Sequence, residues 1–418
     1  MKNMEDLFRM ALGIEEPWYV DSVEFEEMKK ILTIKLDFKK GSKFFYEDKA
    51  AGISGTFPVH DTVVKRWRHL NFFQHECYLE ARVPRIVTGE GQVRQTEAPW
   101  AGKLNGFTLL FEALILQIAR CMPPNQLKEI IGVSNYKIWK IIEKYVSEMR
   151  ELQDLSEVEE IGMDETSARK GHDYITLFVD LKKKSVVHIE EGRGVETVKG
   201  FAERLDEKGC GAEQITNVCS DMSPSFISGV DRYLPEASHT FDRFHVMKVI
   251  NDAVDRVRKW ERDRTPALRN MRYILLKNRE NLSERDLEKV KKLELENMHL
   301  RTVEAYHMRE NFQLCYQAES TEVFELLINK WCEWAERSGM LPMEQAAGTI
   351  MKHREGIIKW HSTRLTNGIL EGFNSLIQAA KAKARGYSTK KNLINIAYLI
   401  LGKFDFSKIN RFCQPTHF

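Results

Sequence analysis

A chain of 418 residues with 43% hydrophobic and 30% charged side chains is too long for one ordinary core and too apolar for intrinsic disorder, so a globular protein of about two to four domains is expected. Lys and Arg number 63 against 61 Asp and Glu, and the formal charge of +2 neither points to nucleic acid nor excludes it. Seven scattered cysteines without a C-x-x-C pair argue against a disulfide framework. No charged-then-apolar leader opens the chain, and the longest apolar run is short and carries Glu112 and Gln117, so a cytoplasmic protein without a membrane partner is expected.

Residues 1–102 read as a small β-rich module, with strands over 38–46 and 83–87 and Gly and Pro between them. Residues 103–150 change character. Leu109, Leu110, Ala113, Leu114, Leu116 and Ile118 build a largely apolar helix that Pro123-Pro124 ends. A short helix over 127–131, the turn Gly132-Val133-Ser134 and an amphipathic helix over 135–149 follow. This is the helix-turn-helix pattern, in which the start of the last helix presents Asn135, Tyr136, Lys137 and Lys140 to a DNA groove. Three-helix packing without DNA is almost as common a use of it.

Residues 151–260 have strand periodicity. A strand ends in Gly162-Met163-Asp164, a buried run over 174–181 follows, and Lys182-Lys183-Lys184 turns into a strand over 185–189. A helix over 195–208, a buried strand over 215–220 ending at Asp221, a helix over 226–233 and a strand over 237–241 come next. The expected fold is multidomain α/β, with a mixed sheet of the ribonuclease H-like plan. Residues 261–349 are charge-rich and helical, an insertion opened at one helix by the capping box Ser283-Glu284-Arg285-Asp286 and anchored by Phe324, Trp331 and Trp334. Residues 350–418 return to the core through a patterned helix over 366–387 and a last apolar helix after 392. Lys381, Lys383, Arg385, Lys390 and Lys391 lie in a stretch without acidic residues and are candidates to hold DNA phosphates.

Three carboxylates stand out against this frame. Asp164 and Asp221 end predicted strands, where open sheets place their chemistry. Glu371 lies on the late helix, sharing a polar face with Asn374, Ser375, Gln378 and Arg385, while Ile369, Phe373, Leu376, Ile377, Ala380 and Ala384 line the opposite face. Convergent carboxylates suit a pair of hard divalent cations that clamp the attacking and leaving oxygens of a phosphoryl displacement. Without a cation, such groups repel and raise each other's pKa. Any one of 61 acids is more often a solvated surface group, and Asp221 has the alternative role of capping the next helix. The joint pattern singles them out.

The segments Gly162-Met163-Asp164-Glu165-Thr166-Ser167 and Cys219-Ser220-Asp221-Met222-Ser223 resemble the first two acidic motifs of bacterial DDE transposases. Leu365-Thr366-Asn367-Gly368-Ile369-Leu370-Glu371-Gly372-Phe373-Asn374, continuing to Lys381-Ala382-Lys383-Ala384-Arg385-Gly386-Tyr387, is similar to the third. With Phe241-Asp242-Arg243-Phe244-His245-Val246, these motifs resemble the ISL-three group of insertion-sequence transposases over about residues 67–404. The resemblance implies a DDE triad of Asp164, Asp221 and Glu371 holding two Mg2+ or Mn2+ ions. It also implies double-stranded DNA partners (terminal inverted repeats and target), a homodimer or larger assembly on DNA, and association with the bacterial nucleoid. The spacings of 57 and 150 residues between the three acids leave room for the helical insertion. Two alternatives stay open: a catalytically inactive helix-turn-helix DNA-binding protein, and a ribonuclease H-like nuclease that only hydrolyses.

In one respect the chain departs from that group. The group carries an amino-terminal zinc ribbon, but Cys77 is the only cysteine among the first hundred residues, so a degenerate ribbon-like module without zinc is expected. Asp242 and His245, just past a strand, are auxiliary candidates for the metal shell or for phosphates, with a structural hydrogen bond their commoner role, and His172 is an auxiliary candidate in a loop near the cleft. Trp331, Trp334 and Trp360 are candidates to stack on a flipped base, with core packing the commoner role of such residues.

Overall fold

A computed structural model describes residues 4–89, 91–169, 171 and 173–413 and divides the chain into two compact units, Met1–Gln153 with Ala380–Phe418 and Asp154–Ala379. His172 lies outside the described residues. Among the described residues no helix is long and apolar enough to cross a membrane.

In the first unit, helix α1 (Met4–Leu12) precedes strands β1 (Trp18–Glu26), β2 (Ile31–Phe38), β3 (Lys43–Asp48), β4 (Ile53–Phe72), β5 (His75–Val87) and β6 (Val93–Gln95). They join in one sheet ordered β1-β2-β5-β4-β3, with β6 on β5, and only β2 and β5 pair in parallel. Leu32, Ile34 and Leu36 of β2 and Leu79, Ala81 and Val83 of β5 alternate into a core shared with Trp18, Trp67 and Trp100. The sheet is therefore broader than the small ribbon-like module read from the sequence. The strand predicted over 38–46 is two elements, because Gly41 at φ +86° turns the chain between β2 and β3, a conformation glycine takes without strain. The aromatic residues on both sides of this turn disguise it. Helices α2 (Leu109–Ala119), α3 (Pro124–Ile131) and α4 (Asn135–Leu152) follow, close to their predicted bounds.

The second unit is built on β7 (Glu160–Arg169), β8 (Asp173–Asp180), β9 (Ser185–Glu191), β10 (Asn217–Ser220) and β11 (Ser238–Phe241), with α5 (Val195–Glu207) and α6 (Pro224–Tyr233) between the later strands. The sheet order is β11-β10-β7-β8-β9. The chain lays down β7, β8 and β9 as an antiparallel meander, then adds β10 parallel to both β7 and β11. Ile161, Met163, Phe178 and Val218 form one face, covered by Val198, Phe201 and Leu205 of α5 and Phe226 and Val230 of α6.

Helices then dominate: α7 (Arg243–Arg262), α8 (Arg272–Leu276), α9 (Glu284–Glu296), α10 (Arg301–Cys315), α11 (Thr321–Glu336), α12 (Leu341–Lys352), α13 (Arg354–Thr363) and α14 (Gly368–Lys383). The helical part begins at Arg243, earlier than the boundary at 261 read from composition, because α7 carries enough charge to look like a surface segment of the core. Ser283 accepts the Asp286 N–H at 3.2 Å, capping α9 as its motif indicates. Trp331 is buried and donates its indole N–H to the Met308 carbonyl at 2.7 Å, and Trp360 is buried in the same core. Both are packing residues, and Trp334 is the exposed one of the three.

The helix predicted over 366–387 stops at Lys383. Arg385 and Gly386 take left-handed backbone angles, and the Gly386 N–H closes on the Lys381 carbonyl at 2.8 Å. Residues from Ala380 onward group with the first unit rather than with the sheet of the second, and the last apolar helix, α15 (Lys390–Leu401), packs on α4 there.

Candidate active site

Asp164 lies inside β7 rather than at its end, because pairing with β8 continues to Arg169. On its other side the strand is shorter-lived. β10 pairs with β7 at Asn217–Glu160, Val218–Ile161 and Cys219–Gly162, an offset of 57 residues, and then ends at Ser220. Asp221 follows the end of β10, two residues past its last pair with β7, and its charge acts on Asp164. β10 and β11 pair with an offset of 21 residues, which sets Asp242 beyond Asp221 in the same row. Asp164 on β7, and Asp221 and Asp242 just past the ends of β10 and β11, thus lie toward the same end of three mutually parallel strands.

Each is held by main-chain donors. Asp164 accepts the Glu165 N–H on Oδ1 and the Asn374 amide on Oδ2, both at 2.8 Å. Asp221 accepts the Ser223 N–H at 2.9 Å in the turn before α6, whose N-cap is Ser223, so it does not take the capping role open to it. Asp242 is buried and accepts the Asn367 N–H at 3.2 Å. Burial pushes the Asp164 carboxyl above its ordinary range and the adjacent Asp221 adds to this, while the Glu165 amide, His245 and Asn374 pull it back. Burial likewise raises Asp242, against the Asn367 amide and His245. His245, on the first turn of α7, is thereby within electrostatic reach of both Asp164 and Asp242.

Alternation along β7 turns Gly162, Asp164 and Thr166 away from α5 and α6, and α14 covers this second face. Asn367 donates to the Met163 carbonyl at 3.1 Å, and Gln378 donates to Thr166 Oγ1 at 2.8 Å and to the Ser167 carbonyl at 2.9 Å. Gly162 permits the approach, since a Cβ there would stand 2.5 Å from Leu370 Cδ1. Leu370 and Ile377 are the buried apolar residues of α14, and Leu376 is half exposed, contrary to the apolar face read from the sequence. Asn374 and Gln378 turn inward because the sheet below offers Asp164 and Thr166 as partners.

Glu371 does not join the aspartates. Its side chain is exposed and makes no hydrogen bond or ion pair among the described residues, and no three His, Cys, Asp or Glu side chains there stand close enough to hold an ion. Glu371 sits one turn ahead of Asn374, on the helix lying over Asp164. Three buried oxygens nearby, Asp242 Oδ2, Asn367 Oδ1 and Asn374 Oδ1, have no hydrogen-bond donor among the described residues. The reading of the sequence placed Asn374 and Gln378 on the face of Glu371 without giving them a role. The signal was the spacing of Asn367, Asn374 and Gln378, three amides at helical intervals.

In the first unit, Asn135, Tyr136, Lys137 and Lys140 are all exposed at the start of α4. The basic stretch is not a uniform cationic stripe. Lys383 donates to the Cys121 carbonyl at 2.6 Å, and Lys391 pairs with Glu143, which Lys140 also approaches at 3.3 Å. Arg385 is exposed in the turn after α14.

A transposase family model matches residues 161–397, more than half of the chain and the whole stretch from Asp164 to Glu371. The transposase for insertion sequence element IS1557 of Mycobacterium tuberculosis, in two strains, is 25% identical over 449 aligned positions, covering 96% of each chain. The transposase for insertion sequence element IS1001 of Bordetella parapertussis is 26% identical over 338 positions, covering 79% of this chain and 82% of that protein.

Proposed function

The chain belongs to the ISL-three family of DDE transposases, and from that premise we propose that it binds the terminal inverted repeats of an insertion sequence and cuts and joins DNA there through Asp164, Asp221 and Glu371. The second unit is read as the ribonuclease H-like core of such an enzyme, with α7 to α13 as its insertion. The observation that carries the proposal is the alignment of Asp164 with Asp221 at the carboxyl end of β10, under a helix that carries Glu371.

The donor chemistry fits a divalent cation. Among the described residues, carboxylate and amide oxygens gather without a basic side chain in hydrogen-bond contact with Asp164 or Asp221, and three buried acceptors lack donors. Such acceptors cost stability unless something satisfies them, and water held by a hard cation is a suitable donor. When bound, Mg2+ or Mn2+ would stabilise charge on the scissile phosphate and activate the attacking hydroxyl.

The residues divide the remaining work. Asp164 and Asp221 provide a paired negative site whose mutual repulsion an incoming cation relieves. Glu371, without a partner among the described residues, would have to swing from its exposed place on α14 to join that pair. Asp242 and His245 border it, and His245 lies within electrostatic reach of Asp164 and Asp242. The exposed start of α4 is the surface read as entering a DNA groove, with the first unit as the binding part and double-stranded DNA as its ligand. Two ends must be held together for transposition, so a dimer or larger assembly is expected on DNA. Asp221→Asn tests the assignment: cleavage of an end-repeat duplex in Mg2+ should disappear while binding in a gel-shift experiment stays. Unchanged cleavage would remove Asp221 from the site.

A further inference from the structure

We propose that Asn374 is a positioning residue of the cation site, fixing the plane of the Asp164 carboxylate and tying it to the helix that carries Glu371. The proposal rests on the carboxylate reading above and adds a residue to it. An ionised carboxylate has about four lone-pair positions on its two oxygens. The Glu165 N–H occupies one on Oδ1 and the Asn374 amide one on Oδ2, each at 2.8 Å. Bonds to both oxygens stop rotation of the group and leave its remaining lone pairs in a fixed direction.

Asn374 also sets a height. It follows Glu371 by three residues on α14, so the two share a side of the helix one turn apart. The bond that orients Asp164 therefore also fixes how far along β7 the helix presents Glu371. Asn374 Oδ1 is buried and has no donor among the described residues. Gln378 provides the contrast: it clamps the same helix to Thr166 and Ser167 and makes no hydrogen bond to a carboxylate among the described residues.

The test titrates the full chain with Mn2+ alone by calorimetry, comparing wild type, Asn374→Ala, Gln378→Ala and the double variant Asp164→Asn/Asp221→Asn. Partners that orient metal ligands typically change affinity by about tenfold to a hundredfold. Asn374→Ala is expected to weaken Mn2+ binding by at least about tenfold, and Gln378→Ala to leave it within about twofold. Thermal unfolding in EDTA reports the loss of helix–strand adhesion in both variants. If Asn374→Ala fails to fold, Asn374→Leu fills nearly the same space without an amide. Equal weakening by the Asn374 and Gln378 variants, or none by either, overturns the proposal and leaves the aspartates as ligands. A wild type that binds Mn2+ no better than the double variant overturns the carboxylate reading together with it.

Discussion

Asp221 follows the end of β10, two residues past its last pair with β7, and the 57 residues between it and Asp164 equal the register offset of these two parallel strands. The meander β8–β9, helix α5 and the approach to β10 fill that interval and return the chain to the partner edge of β7. The placement of the acidic pair thus follows from the sheet, whose first face packs under α5 and α6.

Glu371→Gln is expected to separate chemistry from stability. The side chain is exposed and unpartnered among the described residues, so its replacement should move unfolding free energy by no more than about 0.5 kcal/mol. Cleavage should fall by at least about a hundredfold, the scale of losing one stabiliser of transition-state charge. Urea denaturation alongside a cleavage time course checks both, and wild-type cleavage rates would exclude Glu371.

Gly162→Ala should loosen α14. The added Cβ would lie 2.5 Å from Leu370 Cδ1, 2.9 Å from Leu181 Cδ2 and 3.0 Å from Asn367 Oδ1. Overpacking of this kind costs about 1–3 kcal/mol, and displacement of α14 should also slow cleavage. An unaltered denaturation midpoint with full activity would show that the contact gives way freely.

His69 should make the first unit sensitive to acid. It keeps some surface open, yet burial holds its imidazole down to about 4, with the Arg68 guanidinium adding to the effect. Its ring nitrogen Nδ1 lies 2.9 Å from Thr108 Oγ1, the hydroxyl that caps α2. The unfolded chain binds this proton near the ordinary histidine value of 6.5 and the folded chain does so only near 4, so folding stability is lost as pH falls through that window. The slope is at most about 1.4 kcal/mol per pH unit. His69→Gln should flatten the profile between pH 6.5 and 4 in denaturation experiments, and parallel profiles would remove His69 as the cause.

Purified protein should carry well below one equivalent of zinc. Cys77 is the only thiol among the first hundred residues, and burial pushes it up to about 11, away from the thiolate that zinc requires. Elemental analysis after gel filtration in chelated buffer decides this, and one zinc per chain would contradict it.

The strands of the second unit were legible because buried runs such as that over 174–181 are bounded by turn residues and helical stretches. The bounds of α2, α3 and α4 were set by Pro124 and Gly132, which act locally. What escaped depends on tertiary partners. Asn374 and Gln378 look like solvated residues on a helix, and only the presence of Asp164 and Thr166 beneath them turns them inward. Arg385 and Gly386 end α14 through backbone angles that the helical pattern over 366–387 conceals. The pairing of Lys391 with Glu143 was likewise beyond a count of basic residues, since its partner is 248 positions away.

The most direct test of the central claim is strand transfer. Labelled duplexes carrying the inverted repeats that flank the gene, with free 3′-hydroxyl ends, are incubated with the protein, Mg2+ or Mn2+ and a supercoiled target plasmid. Label joined covalently to the plasmid, absent with Asp164→Asn or with EDTA, is the result expected. Protein that binds these ends yet yields only nicks, or no product, in either ion would contradict a DNA-joining transposase.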